Sequence, residues 1–360
     1  MTNAVLHSKP TYRVAVVKWS SERDGIAEVI NYELEQLGHH PFYFKHDATI
    51  PGNIDVVFSF APYGRFLPIP RQLTHMRPEQ RPVFVHWNTE GMPDPRLPSS
   101  FVLSVSKVRS WIGRFYSDET HLKNWPVLSL LFKWEQNRML RFRYLGDYYF
   151  AYNQGWLNVL ADSSAVYIHQ YKQLGLPAVY APWGSTPMWY EDLKHDRDID
   201  ILWMGKRGSQ RRNRLLNSLR HELEKDNIQF YVADNVENPF IFDEERIHFL
   251  NRAKITLNLT RTWYDDNFSR FALAAPNRSL IVSEPLLPHC PYFEAGIHYI
   301  SAPIEKLADT IRFYLAHKDE RQCIVENAYK LITTQLKFRH SIESIMDAVS
   351  TVRQNSLVKN

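Results

Sequence analysis

The chain has 360 residues, 43 Lys and Arg against 39 Asp and Glu, a formal net charge of +4 and 44% hydrophobic side chains. That length exceeds one ordinary core and suits two domains, and so slight a basic excess excludes a nucleic-acid role argued from charge alone. Two cysteines, Cys290 and Cys323, make neither a disulfide framework nor a zinc spacing, and no run approaches the roughly 20 apolar residues of a membrane span.

In chain order, Tyr12 to Val17 is a continuous apolar run of the buried parallel-strand kind. The polar loop KWSSERDG follows, and Ile26 to Leu37 then has helical spacing up to Gly38. Pro41–Phe44, Asp55–Phe60 and Pro82–His86 are further strands. Residues 97–150 are rich in aromatic and basic side chains and read as helices in a long excursion. Within them, the stretch from Trp111 to Tyr149 is expected to bury its aromatics and solvate its arginines. Ala165–Leu174 is a helix, Pro177–Pro182 a strand, and PWGSTP a link.

A second βα series starts at strand Asp200–Met204. Helix Asn213–Lys225, strand Ile228–Val232, helix Glu244–Arg252 and strand Ile255–Leu259 follow. A polar loop from Arg261 to Arg270 leads into a small apolar helix, Phe271–Ala275, and the strand Ser279–Val282. Amphipathic helices Ile304–His317 and Asp319–Thr333 and a closing helix His340–Gln354 complete the chain. Alternating strands and helices of this kind build parallel sheets, whose ligands sit beyond the carboxyl ends of strands.

Four clusters occupy that position. Gly205, Lys206, Arg207 and Arg211 follow strand DILWM, where small residues, a helix start and cations suit a diphosphate. The spacing is not that of a Walker loop. After ITLNL, Asp265 can accept hydrogen bonds from sugar hydroxyls, Arg270 can hold a phosphate, and Asn258 can order the loop. Ser269 or Asn267 is the expected cap of the helix that follows. In the first half, Asp24 and Gly25 open a helix after the first strand, with Ser21 or Asp24 as its cap. His86-Trp87-Asn88-Thr89-Glu90 follows a strand; Trp87 offers a flat face for a sugar and Glu90 a general base. No histidine pairs with a nucleophile or with a metal spacing, so no metal site is expected.

The words DIDILWMGKRGSQRRNRLL, RAKITLNLT, SRFALAAPNRSLIVSEP and FEAGIHYISAPIEKLADTIRFYLAHKDERQCIVENAYKLITTQ cover most of residues 198–335. In their order and spacing they resemble the carboxyl-terminal domain of group 1 glycosyltransferases, nearest the CgeB-like, spore-maturation branch. The resemblance implies an α/β GT-B architecture: two Rossmann-like domains with parallel sheets facing across a cleft. The expected boundaries are 1–180 for the acceptor-side domain, 181–337 for the donor domain, and 338–360 for a closing helix packing back toward the first.

It also implies a glycosyltransferase that takes a nucleotide-diphosphate-sugar as co-substrate, without cofactor or metal, and works with retention. Arg270 matches the family's Arg; Leu273 stands where a ribose-binding Glu is usual, and Arg278 where a Gly is usual. Asp265 falls at an upstream acidic position near the donor sugar, and Glu284 can take over the ribose contact. Donor binding is thus expected from Asp24, Gly25, Gly205, Lys206, Arg207, Arg211, Asn258, Ser269 and Glu284, and catalysis from Glu90, Asp265 and Arg270. The acceptor, whether glycan, protein or small molecule, is not specified. A cytoplasmic location is expected, with no nucleic-acid partner and with peripheral membrane contact left open. The alternatives are a catalytically degenerate binding or scaffold protein of the same fold and, third, a nucleotide-sugar epimerase.

Overall fold

The computed structural model describes residues 10–19, 25–60, 66–117, 140–262, 264, 268–287 and 292–358. The chain forms two compact units: residues 1–162, 166–181 and 342–360 make the first, and 163–165 with 182–341 the second.

The first unit carries strands β1 (Arg13–Lys18), β2 (His40–Lys45), β3 (Val56–Phe60), β4 (Val83–Asn88), β5 (Val159–Asp162) and β6 (Ala178–Tyr180). All pair in parallel in the order β2-β1-β3-β4-β5-β6. Every residue of β3 and β4 is buried, because helices cover both faces of a central parallel strand. The helices are α1 (Gly25–Gln36), α2 (Pro68–Arg71), α3 (Ser99–Ser117), α4 (Leu140–Asn153) and α5 (Ala165–Gln173). Two details depart from the sequence expectation. β5 is a strand that hydropathy did not single out, and Trp111 stands on the outer face of α3 at 59% exposure instead of in the core.

The second unit carries β7 (Ile199–Met204), β8 (Phe230–Ala233), β9 (Ala253–Asn258), β10 (Leu280–Ser283) and β11 (Ile300–Ser301). The order is β11-β10-β9-β7-β8, again all parallel. Its helices are α6 (Gln210–Glu224), α7 (Asp243–Arg252), α8 (Ser269–Ala274), α9 (Leu307–Ala316) and α10 (Lys318–Thr334). Ile201, Trp203, Leu257, Val282 and Leu216 meet in its core. The last helix, α11 (Phe338–Val358), begins with Phe338 against Trp183 and Trp189 of the second unit. Its far end belongs to the first unit, where Arg353 Nη1 donates to Asp55 Oδ1 at 2.7 Å and Tyr12 Oη to Ser350 Oγ at 3.1 Å.

In each sheet the strand order reverses direction beside the first strand of the unit. These reversals, β1/β3 and β7/β9, are where a doubly wound sheet opens a crevice at its carboxyl edge.

Candidate functional site

The β7/β9 reversal concentrates the cationic chemistry of the second unit. β7 ends on Trp203 and Met204, and the chain turns at Gly205, whose φ of +107° admits glycine with little cost. A Cβ at Gly205 would stand 3.4 Å from Arg270 Nη2, so the guanidinium lies directly against this backbone. Arg270 Nε donates to Met204 O and Nη1 to Asn258 Oδ1, both at 3.0 Å. The guanidinium carbon is 4.4 Å from the Trp203 ring centroid. Asn258 is itself fixed, because its Nδ2 donates to Ser283 Oγ at 3.0 Å. Three adjacent strands thus hold one cation at the sheet edge.

The loop that follows is tied down from inside. Ser209 caps α6 by accepting from Arg212 N at 3.2 Å. The buried Arg212 donates Nε to Arg207 O at 2.5 Å and Nη2 to Lys206 O. With those carbonyls drawn inward, the Lys206 side chain is exposed. Arg207 does not share that freedom. Its guanidinium is taken by Asp234, Glu237, Asn213 and Asn217. Burial pushes the Asp234 carboxyl up, but the Arg207 hydrogen bond and the N–H groups of Glu237 and Val236 outweigh it and lower its pKa.

Arg211 is engaged in the same manner. It grips Glu284 with two bonds, at 3.0 and 2.5 Å, and Thr260 adds its N–H and hydroxyl to Glu284 Oε1 at 2.5 and 2.9 Å. Its hydrogen bonds to Glu284 raise the Arg211 pKa above the ordinary value. Glu284 is only 2% exposed, so its carboxylate acts on the Thr260 turn, not on a ligand in solvent. The helix α8 starts at Ser269, and the cap position falls on Phe268, which makes no side-chain capping bond. Asp265 and Asn267 lie outside the described residues. Arg278 adopts φ +55°, a left-handed conformation that favours glycine. Beyond β10 a cavity of about 430 Å³ is walled by Phe268, Tyr292, Phe293, Tyr299 and Ser301.

In the first unit the β1/β3 reversal is bridged by Trp19, whose Nε1 donates to Phe60 O at 2.9 Å. Gly25 opens α1, and among the described residues nothing stands within 4 Å of where its Cβ would be; Ser21 and Asp24 lie outside the described residues. Trp87 is fully buried as the fifth residue of β4, which corrects the expectation of an exposed face for sugar. Glu90 is half-buried, and its carbonyl accepts from Asn88 Nδ2 at 2.8 Å.

Asn88 is the node of a network that sequence reasoning missed. Its Nδ2 also donates to Asp162 Oδ2 at 2.6 Å, and its Oδ1 accepts from Tyr148 Oη at 3.0 Å. His86 Nε2 meets Tyr148 Oη at 3.1 Å and its Nδ1 meets Ser59 Oγ at 3.3 Å. Burial drives the His86 pKa down to about 3, so the ring is neutral. Since Tyr148 donates to Asn88, its oxygen accepts from His86 Nε2–H, and Nδ1 accepts from Ser59. The polar residues inside β3, β4 and the end of β5 were the available signal.

Among the described residues, no group of three or more His, Cys, Asp or Glu side chains stands close enough to hold a metal ion. No helix of the described residues is long and apolar enough to cross a membrane. Residues 210–347 match the family model described as glycosyl transferase-like. No curated protein sequence matches the chain. Solved structures match over nearly its whole length. HepE of Anabaena, solved with UDP-glucose, gives a TM-score of 0.53 at 8% identity over 94% of this chain and 100% of that one. Sucrose-phosphate synthase of Thermosynechococcus elongatus gives 0.56 at 10% identity, over 96% and 99%. A glycosyltransferase of Rickettsia africae gives 0.56 at 12%, over 96% and 99%. The chain has the GT-B fold.

Proposed function

We propose that this protein is a glycosyltransferase that takes its sugar from a nucleotide-diphosphate-sugar bound by the second unit. The observation that carries the reading is Arg270, held at the carboxyl edge of β7 by Met204 O and Asn258 Oδ1 and laid against the Gly205 backbone. A departing nucleoside diphosphate gains negative charge as the glycosidic bond breaks, and a preplaced cation there lowers the barrier without reorganising. Lys206, exposed on the adjoining loop, supplies a second charge, and the capped start of α6 a third source of positive potential. Charge neutralised by side chains and a helix end needs no metal, so we infer a metal-independent transfer.

Arg207 and Arg211, committed to Asp234 and Glu284, shape the loop in this reading and do not clamp phosphate. The same holds for Glu284, which orders Thr260. The aromatic walls of the cavity beyond β10 suit a sugar ring. Glu90, positioned by Asn88, is our candidate base for the acceptor, and Asp265 our candidate contact to the donor sugar. Retention, a cytoplasmic setting and kinship to the CgeB-like branch complete the reading. An acceptor that is a glycan, a protein or a small molecule fits it equally.

The test is incubation of the full chain with a panel of nucleotide sugars, beginning with UDP-glucose because that donor sits in HepE. Release of nucleoside diphosphate above the uncatalysed rate supports the proposal; no release and no binding from any donor overturns it. A second reading has one observation in its favour. Leu273 and Arg278 replace the family's Glu and Gly, as in a fold kept for binding alone. Tight nucleotide binding without turnover on any acceptor selects that reading.

A further inference from the structure

Three consecutive backbone carbonyls after β7 are bonded by side chains. Gly205 O accepts from Trp203 Nε1 at 3.0 Å, Lys206 O from Arg212 Nη2, and Arg207 O from Arg212 Nε at 2.5 Å. Ser209 N adds a second bond to Arg207 O at 2.9 Å. One guanidinium thus holds two successive carbonyls. In a trans peptide the C=O and the N–H that follows it point in opposite directions, and these peptides are trans. Fixing the carbonyls of residues 205–207 on Trp203 and Arg212 therefore turns the N–H groups of Lys206, Arg207 and Gly208 away from those side chains. None of the three N–H groups meets a hydrogen-bond acceptor among the described residues. Gly205 N differs, since it completes the sheet edge by donating to Ala233 O at 3.0 Å.

The two side chains that set this pattern are buried, Trp203 at 0% and Arg212 at 5% exposure, while Lys206 and Gly208 are exposed. Successive N–H groups without acceptors attract anions, and the first N–H groups of α6 extend the row. Gly208 is needed for the arrangement. Its φ is +71°, and a Cβ there would stand 2.7 Å from Arg212 Nη2. A side chain at 208 would push the guanidinium off the Lys206 carbonyl. Trp203 also links the loop to Arg270: its ring centroid is 5.4 Å from the Arg212 guanidinium carbon and 4.4 Å from that of Arg270.

We propose that Arg212 is a positioning residue of the donor site. It touches no ligand; by holding the Lys206 and Arg207 carbonyls it aims the N–H groups of Arg207 and Gly208 at a pyrophosphate group, as Trp203 does for the N–H of Lys206. The inference rests on the donor reading above and adds that the backbone, beside Lys206 and Arg270, grips the phosphates.

The full chain is titrated with inorganic pyrophosphate, UDP, GDP and ADP, and hydrogen exchange over residues 205–209 is read with the tightest of them. The wild-type chain should gain protection at residues 206–208 on binding. Arg212→Lys keeps the charge but lacks the planar fork that reaches two carbonyls, so it should bind at least about tenfold more weakly and lose that protection. Gly208→Ala keeps every charge in the protein and should show the same defect. Melting curves beside each titration identify the folded variants. If the folded variants bind as wild type does, or if the ligand binds wild type without protecting residues 206–208, the assignment falls and the donor reading stands. A wild-type chain that binds none of the four ligands overturns both. Binding and protection that depend on Arg212, with no nucleoside diphosphate released from any nucleotide sugar, keep the assignment and remove the transferase reading.

Discussion

Replacing Arg270 by Ala removes the cation on which the proposed donor site is built. The structural loss can be worked out from its partners. Two hydrogen bonds at 3.0 Å, to Met204 O and Asn258 Oδ1, disappear together with the stack on Trp203. Bonds made by charged groups contribute about 1.5–3 kcal/mol each at best and a cation–π contact about 0.5–1 kcal/mol at an accessible site. Arg270 is half-exposed, so the sum is nearer the lower end, about 2–4 kcal/mol. For a unit of this size that shifts the melting temperature by roughly 5–10 °C, a cost a folded protein survives. The catalytic loss is of another order. Removing one donor aimed at a developing oxyanion costs about 2.7–4 kcal/mol, or about 10²–10³ in kcat. Steady-state release of nucleoside diphosphate, measured beside circular dichroism and melting, separates the two. Arg270→Lys keeps the charge but not both bonds and should recover part of the rate. An Arg270→Ala protein that is folded and turns over within about threefold of wild type would refute the reasoning.

Glu284→Gln and Arg211→Met should each destabilise the second unit by about 1–3 kcal/mol, and their double mutant should cost clearly less than the sum, because one bond pair is lost in both; additive melts would deny the pair its role. Gly146→Ala drives a methyl group into Ser106 O and should cost about 1–3 kcal/mol or more in chemical denaturation, an unchanged midpoint being the adverse result. His86, with its pKa driven to about 3 by burial, opposes acid. Between about 3 and about 6.5 the unfolded chain holds the proton and the folded chain does not. Its stabilisation is therefore full above pH about 6.5 and lost progressively below, up to about 5 kcal/mol. Burial acts the other way on Asp147, leaving its pKa at about 6 against the pull of Arg143, Ser110 and Arg114. The folded chain keeps that proton better, so this term declines as pH rises from about 4 to about 6. Melts across that range should show a flatter acid slope in His86→Gln and a steeper one in Asp147→Asn; identical slopes in all three proteins would count against the assignment.

The strands were legible wherever an apolar run was long enough to be buried on both faces, as in β1, β3 and β7. β5 was not, because four residues after a Trp-containing turn carry too little pattern to separate from a loop. β4 runs two residues beyond the expected end at His86, and that extension turns Trp87 from a loop residue into core. In the proposed donor site, the position of Arg270 after a strand was readable from local order. The fate of its neighbours was not. Arg207 finds Asp234 and Glu237 across β8, and Arg211 finds Glu284 beyond β10, pairings set by sheet topology and not by spacing along the chain. Charge in a sequence shows where cations stand, and only the fold shows which acids reach them. In the aromatic–basic stretch Tyr144 and Tyr148 of α4 are buried as expected, whereas Trp111 of α3 is not; a Cβ on Gly146 would stand 2.0 Å from Ser106 O, so this close crossing keeps small residues between the two helices.

Calorimetric titration of the full chain with UDP tests the central claim most directly, repeated with GDP and ADP if UDP gives no heat. The account predicts saturable binding of one of them at a single site, weakened at least about tenfold by Arg270→Ala and by Lys206→Ala in proteins that keep their fold. A wild-type chain that binds none of the three, or two variants that bind as wild type does, would contradict it.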